Sequence, residues 1–222
     1  PRRRRPGRRP AGRRVLSPRI DFDPAEVDRR SFHRLLNAVV ISRPIAWVST
    51  TSADGVDNVA PHSFFTISCI DPPVVQFTSV GRKDSLTNAE VSGEFVVNLA
   101  PEHLFEAVNA TGTDFPPDED EFAEVGLERE PSLRVTPPRV AGSPVAIECR
   151  VRDTIPLGDS TVVLGSVVHL AVAEEVMVDG LPDAERLRPL ARLGRDEWST
   201  LGEIRTISRI RRRDWPGHYK RA

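Results

Sequence analysis

Apolar and β-branched residues gather in short runs along this chain, and turn-forming residues separate them. Asp23-Pro24-Ala25-Glu26 places a capping residue, a proline at the first helical position and an acid in the first turn, which predicts a helix. Val27, Phe32, Leu35 and Leu36 then share one face of a helix ending near Asn37. Residues 38–51 are rich in β-branched side chains and predict a strand, with Pro44 at an edge or bulge. Asp54-Gly55 supplies a hairpin turn.

Residues 58–70 and 73–80 predict two further strands, divided by Asp71-Pro72-Pro73. Asp84 or Ser85 can cap a short helix running to about Val91, before a strand over 94–99. Residues 101–110 read as helical, with Leu104, Phe105 and Val108 on one side. The acidic, proline-containing segment 111–124 reads as a solvated or lid-like loop. Runs over 145–155 and 161–176 flank Gly158-Asp159-Ser160 and predict a long hairpin. Residues 182–198 read as helical or irregular, and the tail after Arg209 as basic and frayed. Many strands, few helices and short turns predict a mainly β fold with peripheral helices, built on an antiparallel barrel.

Composition bounds this picture. The 222 residues suit one domain, and 39% hydrophobic with 28% charged residues is ordinary for a water-exposed protein. Apolar runs such as 162–168 fall far short of the ~20 residues of a membrane span. No segment combines a basic start, an apolar middle and a small-residue cleavage site, so no signal peptide is expected. Cys69 and Cys149 sit in apolar strand contexts and read as small buried hydrophobes, in keeping with a reducing cytoplasm.

The net charge of −1 conceals an asymmetry, because residues 1–14 hold eight arginines and no acid while residues 15–222 carry −9. Such an arm can grip nucleic acid through phosphates. It lacks aromatics and a folded partner element, so the expected organisation is a disordered basic arm at 1–19, a domain at 20–210 and a basic tail at 211–222. Nucleic-acid binding is not the expected function.

Residues 43–65 hold the most chemistry. Trp47, Val48, Ser49 and Thr50 face a second segment bearing Asn58, Ala60, Pro61, His62, Ser63 and Phe64. Together they offer an apolar wall with hydroxyl, amide and imidazole groups at its edge, as the face and rim of a planar ring require. Gly81-Arg82-Lys83-Asp84-Ser85 then places two cations and a hydroxyl at a predicted helix start, where free N–H groups and the helix dipole favour an anion. Arginine can grip a phosphate with two hydrogen bonds, and lysine acts as a point charge. His62 can serve as a proton donor, or it can orient and pack; Trp47 can be cofactor wall or core.

The order of these pieces resembles the flavin reductase-like proteins of the FMN-binding split barrel, over roughly residues 28–210. In that family, segments similar to 43–51 and 58–65 contact the flavin ring and ribityl chain, and one similar to 81–85 serves the phosphate. Members more often carry threonine at the position of Ser85. Arg192-Leu-Gly-Arg-Asp-Glu-Trp198 is similar to the family's late cofactor-side segment, which adds Gly194 and Arg195 as candidates. Members often show glycine and tyrosine at the positions of Arg195 and Trp198.

The resemblance implies a split antiparallel β-barrel homodimer that binds FMN near the subunit interface. It implies hydride transfer from NADH or NADPH to the flavin, and electron delivery to free flavin, oxygen or a partner such as an oxygenase. The alternative is an electron carrier without nicotinamide activity of its own. Because the cofactor carries the chemistry, no catalytic acid or base is assigned. The five histidines are scattered without ligand spacing, so no metal is expected. Neither a Rossmann fingerprint, a P-loop nor a nucleophile elbow occurs.

Overall fold

A computed structural model describes residues 18–215 and Gly217. The expected basic arm lies almost wholly outside those residues, as does half of the tail, of which Arg212–Asp214 forms a single 3₁₀ turn.

Helix α1 spans Arg29–Val39, five residues later than the sequence suggests. Asp28 caps it, its carboxylate accepting from Ser31 N at 3.0 Å. Asp23 instead closes a separate turn, accepting from Ala25 N on its side chain and from Glu26 and Val27 on its carbonyl. A short strand β1 (Arg43–Pro44) precedes β2 (Ala46–Thr51), so residues 38–42 end the helix rather than begin a strand. The hairpin turn at Asp54-Gly55 forms as predicted, with Gly55 at φ +82°.

The predicted strand over 58–70 is two strands, β3 (Asp57–His62) and β4 (Phe65–Cys69), broken at Ser63-Phe64. β5 (Val74–Val80), α2 (Asp84–Ser92), β6 (Glu94–Leu99) and α3 (Phe105–Ala110) follow. A short helix α4 (Glu121–Val125) occupies the end of the acidic loop, capped by Asp120, and buries Glu121 and Phe122. That segment is therefore not solvated throughout. Two-residue strands β7 (Arg129–Glu130) and β8 (Arg139–Val140) pair with each other. The long hairpin is β9 (Val145–Leu157) with β10 (Ser160–Val172), which stops short of the expected residue 176.

Seven strands form one antiparallel sheet in the order β3-β2-β6-β9-β10-β5-β4. Its two edge strands, β3 and β4, are consecutive in the chain. The sheet therefore curls until Ser63-Phe64 crosses its open seam, and Thr78 N donates to Phe64 O there at 2.9 Å. This is a split barrel with peripheral helices.

β2 is buried on both faces, as its alternation allows. Ala46 and Val48 join Phe77, Phe95 and Val163 in one core, while Trp47 joins Val59, Val108, Phe122 and Leu190 in the other. Each large apolar side chain buried there contributes about 1.5–3 kcal/mol before chain entropy is counted. Cys149 is fully buried, but Cys69 is only half-buried, against expectation, and its thiol donates to Asp71 O. No helix among the described residues is long and apolar enough to cross a membrane.

Candidate functional site

A cavity of about 430 Å³ opens at the seam, within the range of small-molecule sites. β3 and the Ser63-Phe64 crossing form one wall and the start of α2 another. Residues 111–117, with Glu121, cover it. The break in the 58–70 strand is what makes room: a continuous strand would have paired across the opening.

Pro61 and Phe64 give this space an apolar side. The Arg43 guanidinium lies 5.9 Å from the Phe64 ring centroid and donates to Ser63 Oγ at 3.4 Å, fixing the crossing from behind. Arg43 also donates to the carbonyls of Asn37, Val40 and Leu193, so one buried side chain ties α1 and the late segment to the seam.

The opposite end is polar and carries both signs of charge, with Arg82 and Lys83 beside Asp84, Asp114 and Glu121. Arg82 and Lys83 precede α2, whose first-turn N–H groups have no side-chain cap. Both cations are already engaged on the surface: Arg82 with Glu90 at 2.8 Å and Lys83 with Asp114 at 2.7 Å. Ser85 does not cap the helix; it sits inside the first turn and is buried. Its hydroxyl donates to Asn58 Oδ1 at 3.2 Å and lies 3.1 Å from His62 Nε2. Thr50 Oγ1 also donates to Asn58 Oδ1, at 3.3 Å, and Asn88 donates to Thr50.

Asn58 Nδ2 in turn donates to Glu121 Oε1. Glu121 lines the cavity, and its Oε2 is the single buried side-chain polar atom among the described residues without a partner. Burial pushes the Glu121 carboxyl up to about 7, with the Asp84 charge adding to the shift and the Asn58 hydrogen bond opposing it.

His62 behaves differently. Burial pushes its imidazole down to about 4, partly opposed by a backbone hydrogen bond with Thr78 and reinforced by the Lys83 charge. At neutral pH it is uncharged, and its ring packs on Phe77 at 4.8 Å. Of the two roles open from sequence, orienting and packing fits this environment; proton donation does not.

Asn58, Ala60, Pro61, His62, Ser63, Phe64, Arg82, Lys83 and Ser85 thus converge on one space. Trp47, Val48, Ser49 and Thr50 do not reach it. All four are fully buried between the two cores, with Trp47 Nε1 donating to Thr111 Oγ1 at 2.9 Å and Ser49 Oγ to Pro138 O. The β2 side chains therefore lie behind the cavity wall and not in its lining. Gly194 and Arg195 lie on the far side of the crossing. Gly194 lets the late segment approach α1, since a Cβ there would meet Ala38 Cα at 2.9 Å.

The cover at 111–115 lies in the segment read as solvated or lid-like, but Glu121 escaped the sequence reading. Asp120 followed by Glu-Phe-x-x-Val was a readable capped turn, but burial of an acid inside an acidic run has no local signature. Among the described residues no group of histidine, cysteine or acidic side chains is arranged to hold a metal.

These features fit a flavin mononucleotide: an apolar wall, a cationic helix end, and an orphaned carboxyl oxygen awaiting a polar ligand group. Residues 38–187 match the family model described as flavin reductase like domain. An uncharacterized protein of Halalkalibacterium halodurans is 38% identical over 86% of this chain and 96% of its own length. The structure of nitrilotriacetate monooxygenase component B from Bacillus cereus superposes with a TM-score of 0.83 at 32% identity, covering 86% of this chain and all of that one. The 2-nitrobenzoate 2-nitroreductase of Pseudomonas fluorescens gives a TM-score of 0.80 at 26% identity, covering 86% and 96%.

Proposed function

The chain belongs to the flavin reductase-like family, and on that premise we propose that it is an FMN-binding oxidoreductase using NADH or NADPH. Electrons then pass to free flavin, to oxygen or to a partner oxygenase. The observation that carries this reading is the seam cavity, apolar at Pro61 and Phe64 and cationic at Arg82 and Lys83. Bound FMN would supply the two-electron chemistry, accepting hydride and releasing electrons to the next acceptor.

The protein's own residues have simpler tasks. Arg82, Lys83 and the N-terminus of α2, which no side chain caps, hold the phosphate by charge and N–H donation. Asn58 and Ser85, fixed by Thr50 and His62, present polar atoms along the wall between phosphate and ring. Pro61 and Phe64 exclude water from the ring face, and residues 111–115 cover it. No side chain is needed to move a proton.

A homodimer is part of the proposal. Exposed Ile67 and Ile70 on or beside edge strand β4, and Val168 and Leu170 on β10, offer apolar surface for a second copy. The similarity to a monooxygenase component B of Bacillus cereus supports an oxygenase as acceptor. The free thiols support a reducing, cytoplasmic setting.

An absorption spectrum of the purified protein, followed by anaerobic titration with NADH and NADPH, tests the reading. The expected result is bound FMN that bleaches on adding either nucleotide. A yellow protein that neither nucleotide reduces would make it an electron carrier, and failure to bind FMN would overturn the reading altogether.

A further inference from the structure

Beyond the Ser63-Phe64 crossing lies a second cavity of about 780 Å³, between α1 and the segment 192–195. It shares Ser63, Phe64 and Val80 with the seam cavity, so the two spaces adjoin at the apolar end of the flavin site. Arg34, Arg43, Arg192 and Arg195 line it together with His33, and no acidic residue does. Residues 15–222 carry −9, so an all-cationic cavity runs against the charge of the surrounding protein. Local charge of one sign in a concave site attracts and holds the opposite one.

Two of these arginines are fixed in place by their contacts. Arg43 is buried with its donors on three backbone carbonyls and no carboxylate partner among the described residues. It contributes an uncompensated positive charge that cannot swing away. Arg192 stacks over Trp198 at 4.8 Å, donates to Arg195 O at 3.0 Å and lies 3.7 Å from the Asp196 carboxylate, which offsets part of its charge. Arg195 sits at φ +54°, a left-handed conformation that costs a non-glycine residue stability. Arg34 and Arg195 are exposed at the rim, and neither pairs with an acid among the described residues.

The flavin phosphate has its own cations across the seam, so this set serves a second anion whose other end reaches the flavin ring. A nicotinamide dinucleotide has that form. The 2′-phosphate of NADPH adds about −1.5 to −2 charge at pH 7 over NADH, which suits two unpaired rim arginines beyond those fixed in the wall. We propose that this cavity seats the phosphates of NADPH, with Arg34 and Arg195 on the 2′-phosphate, so that the protein discriminates against NADH. The inference rests on the nicotinamide-dependent reading above.

Titration calorimetry of the FMN-loaded full chain with adenosine 2′,5′-bisphosphate and with adenosine 5′-monophosphate tests the site without turnover. The bisphosphate should bind about a hundredfold tighter, two charge-assisted contacts' worth. Arg34→Gln and Arg195→Gln should each remove about tenfold of that preference and leave the monophosphate affinity and the flavin spectrum unchanged. Equal binding of the two probes, or a preference that survives both substitutions, overturns the inference even if the protein oxidises both nucleotides. Selective, arginine-dependent binding in a protein that oxidises neither nucleotide would keep the site and overturn the reductase reading instead.

Discussion

Lys83 Nζ lies 2.7 Å from the carboxylate of Asp114, which reaches over from the segment covering the cavity. The cation best placed for a phosphate thus holds a substitute anion, and the cover is tethered to the start of α2 by the same contact. The pair is solvent-exposed on both sides, so little is lost on exchanging Asp114 for a phosphate.

Asp114→Asn should therefore tighten FMN by roughly threefold, by freeing Lys83 and removing a negative charge beside the phosphate. Replacing Arg82 and Lys83 together by alanine should weaken FMN by about a hundredfold. Riboflavin, which lacks the phosphate, should bind equally well to all three proteins. Flavin fluorescence titrations measure both ligands, and parallel losses for FMN and riboflavin would move the phosphate elsewhere.

Glu121 gives the site a pH dependence with a defined sign. Its folded-state value of about 7 lies above the ordinary 4.5, so the folded protein holds a proton that the unfolded chain releases. The associated stability is present below pH 4.5 and is lost as pH rises through 7. Allowing for solvent on the cavity side, that loss is about 1–2 kcal/mol. Glu121→Gln should remove it, flattening the denaturation midpoint between pH 5 and 8. Above pH 7 the ionised carboxylate also opposes a bound phosphate, so the variant should hold FMN several-fold more tightly there. Identical pH profiles for the two proteins would show Glu121 to be electrostatically silent.

Much of the barrel was legible from local patterns, and its errors share a cause. The β9-β10 hairpin was readable because two β-branched runs flank Gly158, which takes a positive φ at the turn. The start of α1 was misread because two good capping residues compete. Asp23 satisfies nearby amides in its own turn, leaving the helix to Asp28. The burial of β2 on both faces was not legible, because alternation shows only that a strand has two faces. Whether the second face meets a ligand or another core depends on Phe122, Val108 and Leu190, which lie far along the chain. Glu121 was hidden for the same reason: a carboxylate among acids reads as solvated until its burial is known.

Gly165 marks the tightest point of the barrel core. A Cβ there would meet Phe95 Cζ at 2.3 Å and Cys149 Cβ at 3.0 Å, on the ring that packs edge-on against Phe77. Phe77 in turn carries His62. Gly165→Ala should cost about 2–3 kcal/mol by overpacking, seen as a lower Tm. Because the displaced rings back the site, FMN affinity should fall too. A variant as stable as the parent would mean that Phe95 has room to move.

Trp47 separates support from contact. Its indole N–H donates to Thr111 Oγ1, and Thr111 begins the segment that covers the cavity. The Thr111 hydroxyl itself donates to Val108 O, so this bond holds the first residue of the cover between α3 and the second core. Trp47→Phe keeps the apolar packing but removes the donor and some volume, at a cost of about 1–3 kcal/mol. A loosened cover should release FMN faster, and stopped-flow displacement would show the higher off-rate. The absorption band of the bound flavin should not move, since Trp47 has no surface toward the ring. A shifted band with an unchanged off-rate would instead place the indole against the flavin and reverse the supporting role assigned to β2.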